Sequence, residues 1–312
     1  MSTASTKNKL VVILGPTASG KSDLAVKLAL RLRSGRNKFG IEGAEIISAD
    51  SRQVYKGLDI GSGKITKKEM QGISHWLLDV ANPKRRFTLA QYQKLALKAI
   101  KNIQKRGKLP IIVGGTGFYI QSVVDGIVIP EVKPDWKLRK KLEKLGVGGM
   151  FKKLKKLDPK RAKNIDAKNP RRLVRALEIV LKTGKPVQKS GRLTSQFSIL
   201  QIGIKKSPGE LKKNIHKRLA KRLKKNAMIN EVKKLHRALS WKRLEEFGLE
   251  YRFVAQYLQN KISKEQMIEK IQKESEHFAK RQMTWFQRDK RIIWISDSYK
   301  AKQCFRNGHF AP

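Results

Sequence analysis

Residues 10–22 read LVVILGPTASGKS, and no other stretch restricts the fold of this chain as tightly. Leu10 to Leu14 are five apolar residues in a row, which predicts a strand buried on both faces of a parallel sheet and too short to cross a membrane. The strand runs directly into Gly15-Pro16-Thr17-Ala18-Ser19-Gly20-Lys21-Ser22, which fits the spacing G-x-x-x-x-G-K-[ST] at every fixed position. Leu24, Ala25, Leu28, Ala29 and Leu32 then recur at helical spacing. A glycine loop between a strand and a helix captures anions, because its backbone N–H groups turn inward and the helix adds its positive end. Lys21 supplies a point charge, and the Ser22 hydroxyl can ligate Mg²⁺. The pattern predicts a di- or triphosphate ligand without saying whose. A glycine-rich turn that binds nothing is the competing reading, and the complete motif in its strand–loop–helix setting argues against it.

The same texture repeats downstream. Residues 44–49, AEIISA, read as a second buried strand ending at Asp50, and residues 108–117, KLPIIVGGTG, as a third. Between them residues 89–105 form an amphipathic helix that Gly107 and Pro110 terminate. Strands alternating with helices predict an α/β fold, a P-loop NTPase-like parallel sheet wound with helices. Ligands of such sheets lie beyond the carboxyl ends of the strands, so Ser22, Asp50 and Thr116 are expected to converge. After Gly126, prolines 130, 134, 159, 170 and 186 punctuate short basic helical pieces, among them residues 151–157 and 170–181. Residues 127–196 therefore read as a helical insertion, between a first core segment (1–126) and a second (197–312). The second segment opens with a strand at 197–204. One long helical stretch over 211–239, helices over 245–259 and 264–288, and a last strand at 291–296 follow, with a tail from Tyr299.

Composition enters through charge. Lys and Arg number 71 against 25 Asp and Glu, a net charge of +46. Self-repulsion at that level is relieved by a polyanion, and nucleic acid is the leading partner; an anionic membrane surface or a general basic bias are the alternatives. Cys304 is the single cysteine, which excludes an internal disulfide and a cysteine-built zinc site. No apolar run reaches transmembrane length and the first ten residues lack the apolar core of a signal peptide, so a cytoplasmic protein without membrane attachment is expected.

Asp50 opens DSRQVYKGLDIGSGK. A carboxylate at a strand end beside a phosphate loop can hold Mg²⁺ or its waters, accept a proton from a nucleophile, or merely cap a turn. Its neighbours Ser51, Arg52 and Gln53 form a polar cluster able to read a base edge or a phosphate. His75, between Ser74 and Trp76, reads more readily as structural than catalytic.

Taken with the loop, the segments GPTASGKS, ADSRQVYKGLDIGSGK, ISHWLLDV, FTLAQY, VGGTGFYI, NPRRLVRALEI and FAKRQMTWFQRDKRIIWI stand in an order that resembles the tRNA dimethylallyltransferase family from Leu10 to Ile295. The resemblance implies transfer of a dimethylallyl group from dimethylallyl diphosphate to the exocyclic amine of adenosine 37 of tRNA, with diphosphate released and Mg²⁺ as cofactor. It implies a donor site lined by Gly15, Pro16, Thr17, Ala18, Ser19, Gly20, Lys21 and Ser22, with Arg218 and Arg222 facing the diphosphate and Ser22 on the metal. Asp50 and Thr116 become the catalytic candidates. Asp50, Ser51, Arg52, Gln53, Thr116, Arg139, Arg171, Arg172, Leu173, Val174 and Arg175 become the tRNA contacts. The chain departs from the family at Trp76, where a second histidine is usual, and at residues 222–232, which lack a glycine. A monomer acting on the anticodon stem-loop is expected. An enzyme prenylating free AMP or ADP, a small-molecule P-loop kinase that binds ATP, and a non-enzymatic RNA-binding protein are the alternatives. The first leaves the basic insertion unexplained, the second leaves the Asp50 cluster without an adenine to read, and the third has no use for Lys21.

Overall fold

The computed structural model describes residues 8–34, 41–130, 132–187 and 197–296; the predicted tail from Tyr299, and residues 188–196 of the predicted insertion, lie outside them. Six strands form one sheet: β1 (Lys9–Leu14), β2 (Ala44–Ala49), β3 (His75–Trp76), β4 (Leu109–Gly114), β5 (Ser198–Ile204) and β6 (Ile293–Ile295). Their spatial order is β3-β2-β4-β1-β5-β6, and every neighbouring pair is parallel. The helices in chain order are α1 (Lys21–Arg33), α2 (Lys67–Met70), α3 (Leu89–Lys105), α4 (Gly117–Val124), α5 (Trp136–Glu143), α6 (Gly146–Leu157), α7 (Pro159–Asn164) and α8 (Pro170–Thr183). They continue as α9 (Pro208–Leu223), α10 (Ala227–His236), α11 (Trp241–Glu246), α12 (Leu249–Leu258) and α13 (Lys264–Phe286). None of the described helices is long and apolar enough to cross a membrane.

The sheet is covered on both faces, which is why its strands read as unbroken apolar runs rather than alternating ones. Period two sorts the side chains: Leu10, Val12 and Leu14 enter one core with Ile47, Ile112 and α3, while Val11 and Ile13 enter the other with Ile46, Ile111 and α1. The first core also takes in residues of α9 to α13, so the C-terminal helices are anchored to the face that carries α3.

Internal packing divides the chain into one unit of Met1–Asp125 with Ser195–Pro312 and a smaller unit of Gly126–Thr194. The smaller unit consists of α5 to α8 around Leu142, Met150, Leu154, Leu173 and Leu177. Its prolines punctuate for a local reason. Pro159 and Pro170 occupy the first turns of α7 and α8, preceded by the capping side chains of Asp158 and Asn169.

Two predicted helices are each broken in two. The stretch 211–239 divides after α9, where Lys225 (φ 51°) and Asn226 (φ 52°) take left-handed backbone. Continuing the α9 stripe of Leu211, Ile215 and Leu219 would put Met228 half a turn away from the core. The break restores it, and Met228, Ile229 and Val232 are buried in α10. Likewise the stretch 245–259 divides at Gly248, whose φ of 74° ends α11 and starts α12.

Candidate active site

Strand register assembles the site. Leu14 lies beside Gly114, and Gly114 beside Ala49, so the loops that follow β1, β4 and β2 leave the sheet side by side. The first is the glycine loop, the second begins at Gly115-Thr116 and the third at Asp50. They are stitched together directly: Thr116 N donates to Ala49 O at 3.1 Å and Ser51 N donates to Thr116 Oγ1 at 3.1 Å. The expected convergence of Asp50 and Thr116 beside the glycine loop is what the sheet produces.

In the glycine loop Lys21 folds back, its Nζ donating to the Pro16 carbonyl at 2.5 Å. Burial, and after it the charge of Arg218, lower its pKa to about 7, against a smaller opposing pull from Asp50. The Ser19 hydroxyl is buried without a hydrogen-bond partner among the described residues. Ser22, exposed in the first turn of α1, also has none.

Across from it, α9 supplies Arg218 and Arg222. Arg218 lies 3.5 Å from Thr17 Oγ1, and burial followed by repulsion from Arg222 lowers its pKa to about 10, which still leaves it charged at neutrality. Arg222 is held by Glu250 at 2.8 Å and by Gly61 O at 3.2 Å. A small cleft here is lined by Thr17 and Ala18 of the loop, by Arg218 and Arg222, and by Glu250.

Asp50 is half-buried and divides its labour. Oδ1 accepts the amides of Arg52 (2.7 Å) and Gln53 (3.2 Å), which shapes the polar cluster, while Oδ2 has no partner among the described residues. The carboxylate thus keeps one oxygen available for a proton. Gln53 Nε2 donates to Gly63 O at 3.2 Å, and Arg52 Nη1 reaches Ser51 O at 3.4 Å.

The smaller unit sorts its predicted contacts by burial. Arg171 and Arg172 are exposed on the first turn of α8. Leu173 and Val174, in contrast, are core residues at 0 % and 4 % exposure, which leaves their side chains nothing to offer a polar partner. Arg139 and Arg175 both bind the fully buried Glu178, Arg139 through two bonds of 2.8 and 2.7 Å and Arg175 at 2.6 Å. Burial pushes the Glu178 pKa up, but Arg139, the Asp135 amide and Arg175 outweigh it and bring the value to about 2. In this structure these two arginines hold the fold of the unit.

Trp76 has a structural use: its indole N–H donates to Glu45 at 2.8 Å, alongside Arg106 and Lys108. His75 Nδ1 meets the Ile73 carbonyl at 2.8 Å, and burial lowers its pKa.

Sequence reasoning missed Gln282. This amide, on α13 and 7 % exposed, accepts from Thr17 N at 2.8 Å and donates to Gly115 O at 2.8 Å, bridging two of the three loops. A Cβ at Gly115 would meet the Gln282 amide nitrogen and displace it from this bridge. Asn214 of α9 likewise holds the Ala18 carbonyl at 3.2 Å, on a residue strained into left-handed backbone (φ 61°). Both lie within segments whose helical period was legible, but no spacing rule says how far back an amide reaches.

Fold and site together define an α/β protein of P-loop-like architecture in which Lys21, Arg218 and Arg222 lie near the Asp50 carboxylate. The sequence model described as IPP transferase matches residues 53–289, and the chain belongs to that family. A tRNA dimethylallyltransferase of a Thermoanaerobacter species is 41% identical over 303 residues, covering 94% of this chain and 93% of that one. One from Caldanaerobacter subterraneus is 39% identical, covering 97% and 96%. Among solved structures, the full-length tRNA isopentenylpyrophosphate transferase from Bacillus halodurans has a TM-score of 0.69 at 35% identity, covering 96% of this chain and 95% of that one. A eukaryotic dimethylallyltransferase acting on tRNA has a TM-score of 0.77 at 26% identity, covering 98% and 82%.

Proposed function

We propose that this protein transfers a dimethylallyl group from dimethylallyl diphosphate to the exocyclic amine of adenosine 37 of tRNA and releases diphosphate. The observation that carries the reading is the juxtaposition of Lys21 and Arg218 with the unpartnered oxygen of Asp50, beyond the ends of β1 and β2, the two strands that flank β4. Family membership and the names of the relatives agree with it.

The chemistry follows from the charges. As the allylic C–O bond breaks, negative charge collects on the departing diphosphate, and loop amides, Lys21, Arg218 and Arg222 stabilise it. The adenine amine is a poor nucleophile because its lone pair is delocalised. As its nitrogen forms the bond to the allylic carbon, Asp50 Oδ2 takes the proton. Thr116, bonded to the Ser51 amide, holds the Asp50 turn in register. Ser22 is the protein group that fits Mg²⁺: its hydroxyl is exposed and unpartnered, and no cluster of three His, Cys, Asp or Glu side chains among the described residues offers a cage. Bound there with donor oxygens, the metal would neutralise diphosphate charge. The exposed Arg171 and Arg172 grip RNA phosphates. The target base leaves its stack to reach the cradle, a step RNA loops permit at a cost of a few kcal/mol. The same reading takes the enzyme to be a cytoplasmic monomer.

Incubation of the purified protein with labelled dimethylallyl diphosphate and either total tRNA or AMP, followed by nucleoside mass spectrometry, tests this. The expected product is dimethylallyl-adenosine in tRNA. Incorporation confined to AMP, or acceptor-dependent ATP turnover with the prenyl donor ignored, would overturn the proposal.

A further inference from the structure

The segment 59–64, DIGSGK, belongs to no function assigned above, yet it touches both halves of the site. Gly61 O accepts from Arg222, and Gly63 O accepts from Gln53. Gly63 sits at φ +61°, and a Cβ there would collide with the guanidinium nitrogens of both Arg222 and Arg218. The turn is therefore the surface against which the two arginines are laid.

One carboxylate gathers three successive amides of the turn, beside the Lys64 bonds to Asp59, Asp79 and the Tyr55 carbonyl. Glu231 Oε2 accepts the amides of Asp59 (3.1 Å) and Ile60 (2.6 Å), and Oε1 accepts the amide of Gly61 (3.0 Å). Tyr251, 1 % exposed, donates its hydroxyl to Oε1 at 2.8 Å and accepts from Ser62 N at 3.0 Å. Three successive backbone N–H groups around one anion form a nest, here filled from within by a side chain of α10. All four partners of Glu231 are donors, so an amide in its place must turn an NH₂ group toward at least one of them.

We propose that Glu231, with Tyr251 as its support, is a positioning residue for the donor diphosphate: it fixes the 59–63 turn and thereby sets Arg222 and Arg218. The inference rests on the reading that these arginines meet the diphosphate. No group of the clamp touches substrate; it acts through Arg222, and less directly through Arg218.

The test uses the full-length enzyme with inorganic pyrophosphate and dimethylallyl diphosphate, well below the melting temperature of each variant. Glu231→Gln is expected to raise the KM for the donor and the Kd for pyrophosphate about tenfold, the loss of one to two hydrogen bonds of ordinary worth. The KM for tRNA moves less. Tyr251→Phe, which keeps the ring packing, is expected to give about a threefold change in the same direction. In an Arg222→Ala background the Glu231→Gln effect should shrink to the smaller part carried by Arg218. A lowered melting temperature with unchanged donor parameters in both variants would reduce Glu231 to a structural residue and overturn the proposal, as would full persistence of its effect without Arg222. If Glu231→Gln fails to fold, Tyr251→Phe decides. Should Arg222→Ala bind pyrophosphate like wild type, the donor-site reading itself falls. If only the clamp variants do so, that reading stands and the role of Glu231 is lost.

Discussion

At about pH 8, binding of a diphosphate to this protein should take up about 0.9 proton at Lys21. Burial and Arg218 hold the pKa of the free lysine at about 7, so at that pH about one-tenth of the molecules carry the charge. A diphosphate in the loop places negative charge beside Nζ and restores the ammonium form. At about pH 6 the lysine is already about nine-tenths protonated and the uptake falls to about 0.1. The sign for affinity follows: above pH 7 binding weakens as pH rises, by about tenfold per unit until the bound-state pKa is reached. For the free protein the folded pKa lies below the ordinary 10.5, so unfolding takes up a proton in that window and this group favours the folded state more as pH rises through it. Calorimetric titration of inorganic pyrophosphate in buffers of different ionisation enthalpy measures the uptake. Lys21→Arg, which stays charged throughout, reports the protons taken up by pyrophosphate itself. An uptake in wild type equal to that of Lys21→Arg at about pH 8 would refute the reasoning.

Other expectations are as definite. Asp50→Asn keeps an acceptor for the Arg52 and Gln53 amides but cannot take a proton, so the melting temperature and tRNA affinity should hold while kcat falls by about 10²–10⁴. Single-turnover kinetics with prebound tRNA would show it. Reversing Arg171 and Arg172 to Glu should weaken tRNA binding and lessen the slope of log K against log salt by about two or more, read from filter binding across a salt series. Gln282→Ala leaves Thr17 N and Gly115 O without their bridge and should cost about 1–3 kcal/mol in denaturant unfolding, with a raised KM for the donor.

How far the sequence disclosed this arrangement depends on the range of the interactions. Strands β1, β2 and β4 were legible because burial on both faces leaves unbroken apolar runs, and the glycine loop because its spacing is dictated by phosphate geometry. β3 was not, since His75–Trp76 is too short to show a period. The break at Lys225 and Asn226 was hidden because neither residue is glycine; only the phase of Met228 relative to Leu219 betrays it. Asp50 and Thr116 could be placed because strand ends place them. The amide of Gln282, the nest around Glu231 and the capture of Arg139 by Glu178 are side-chain contacts across 39 to 265 residues of chain, and nothing local encodes them.

The bridge from Gln282 has a temporal meaning as well. The amide that takes up the Thr17 N–H lies 265 positions further along the chain, on the last helix before the final strand. During synthesis the glycine loop and the helices of the smaller unit emerge before the strut that ties Thr17 to Gly115. A nascent chain that has not yet released α13 therefore holds its glycine loop without this brace.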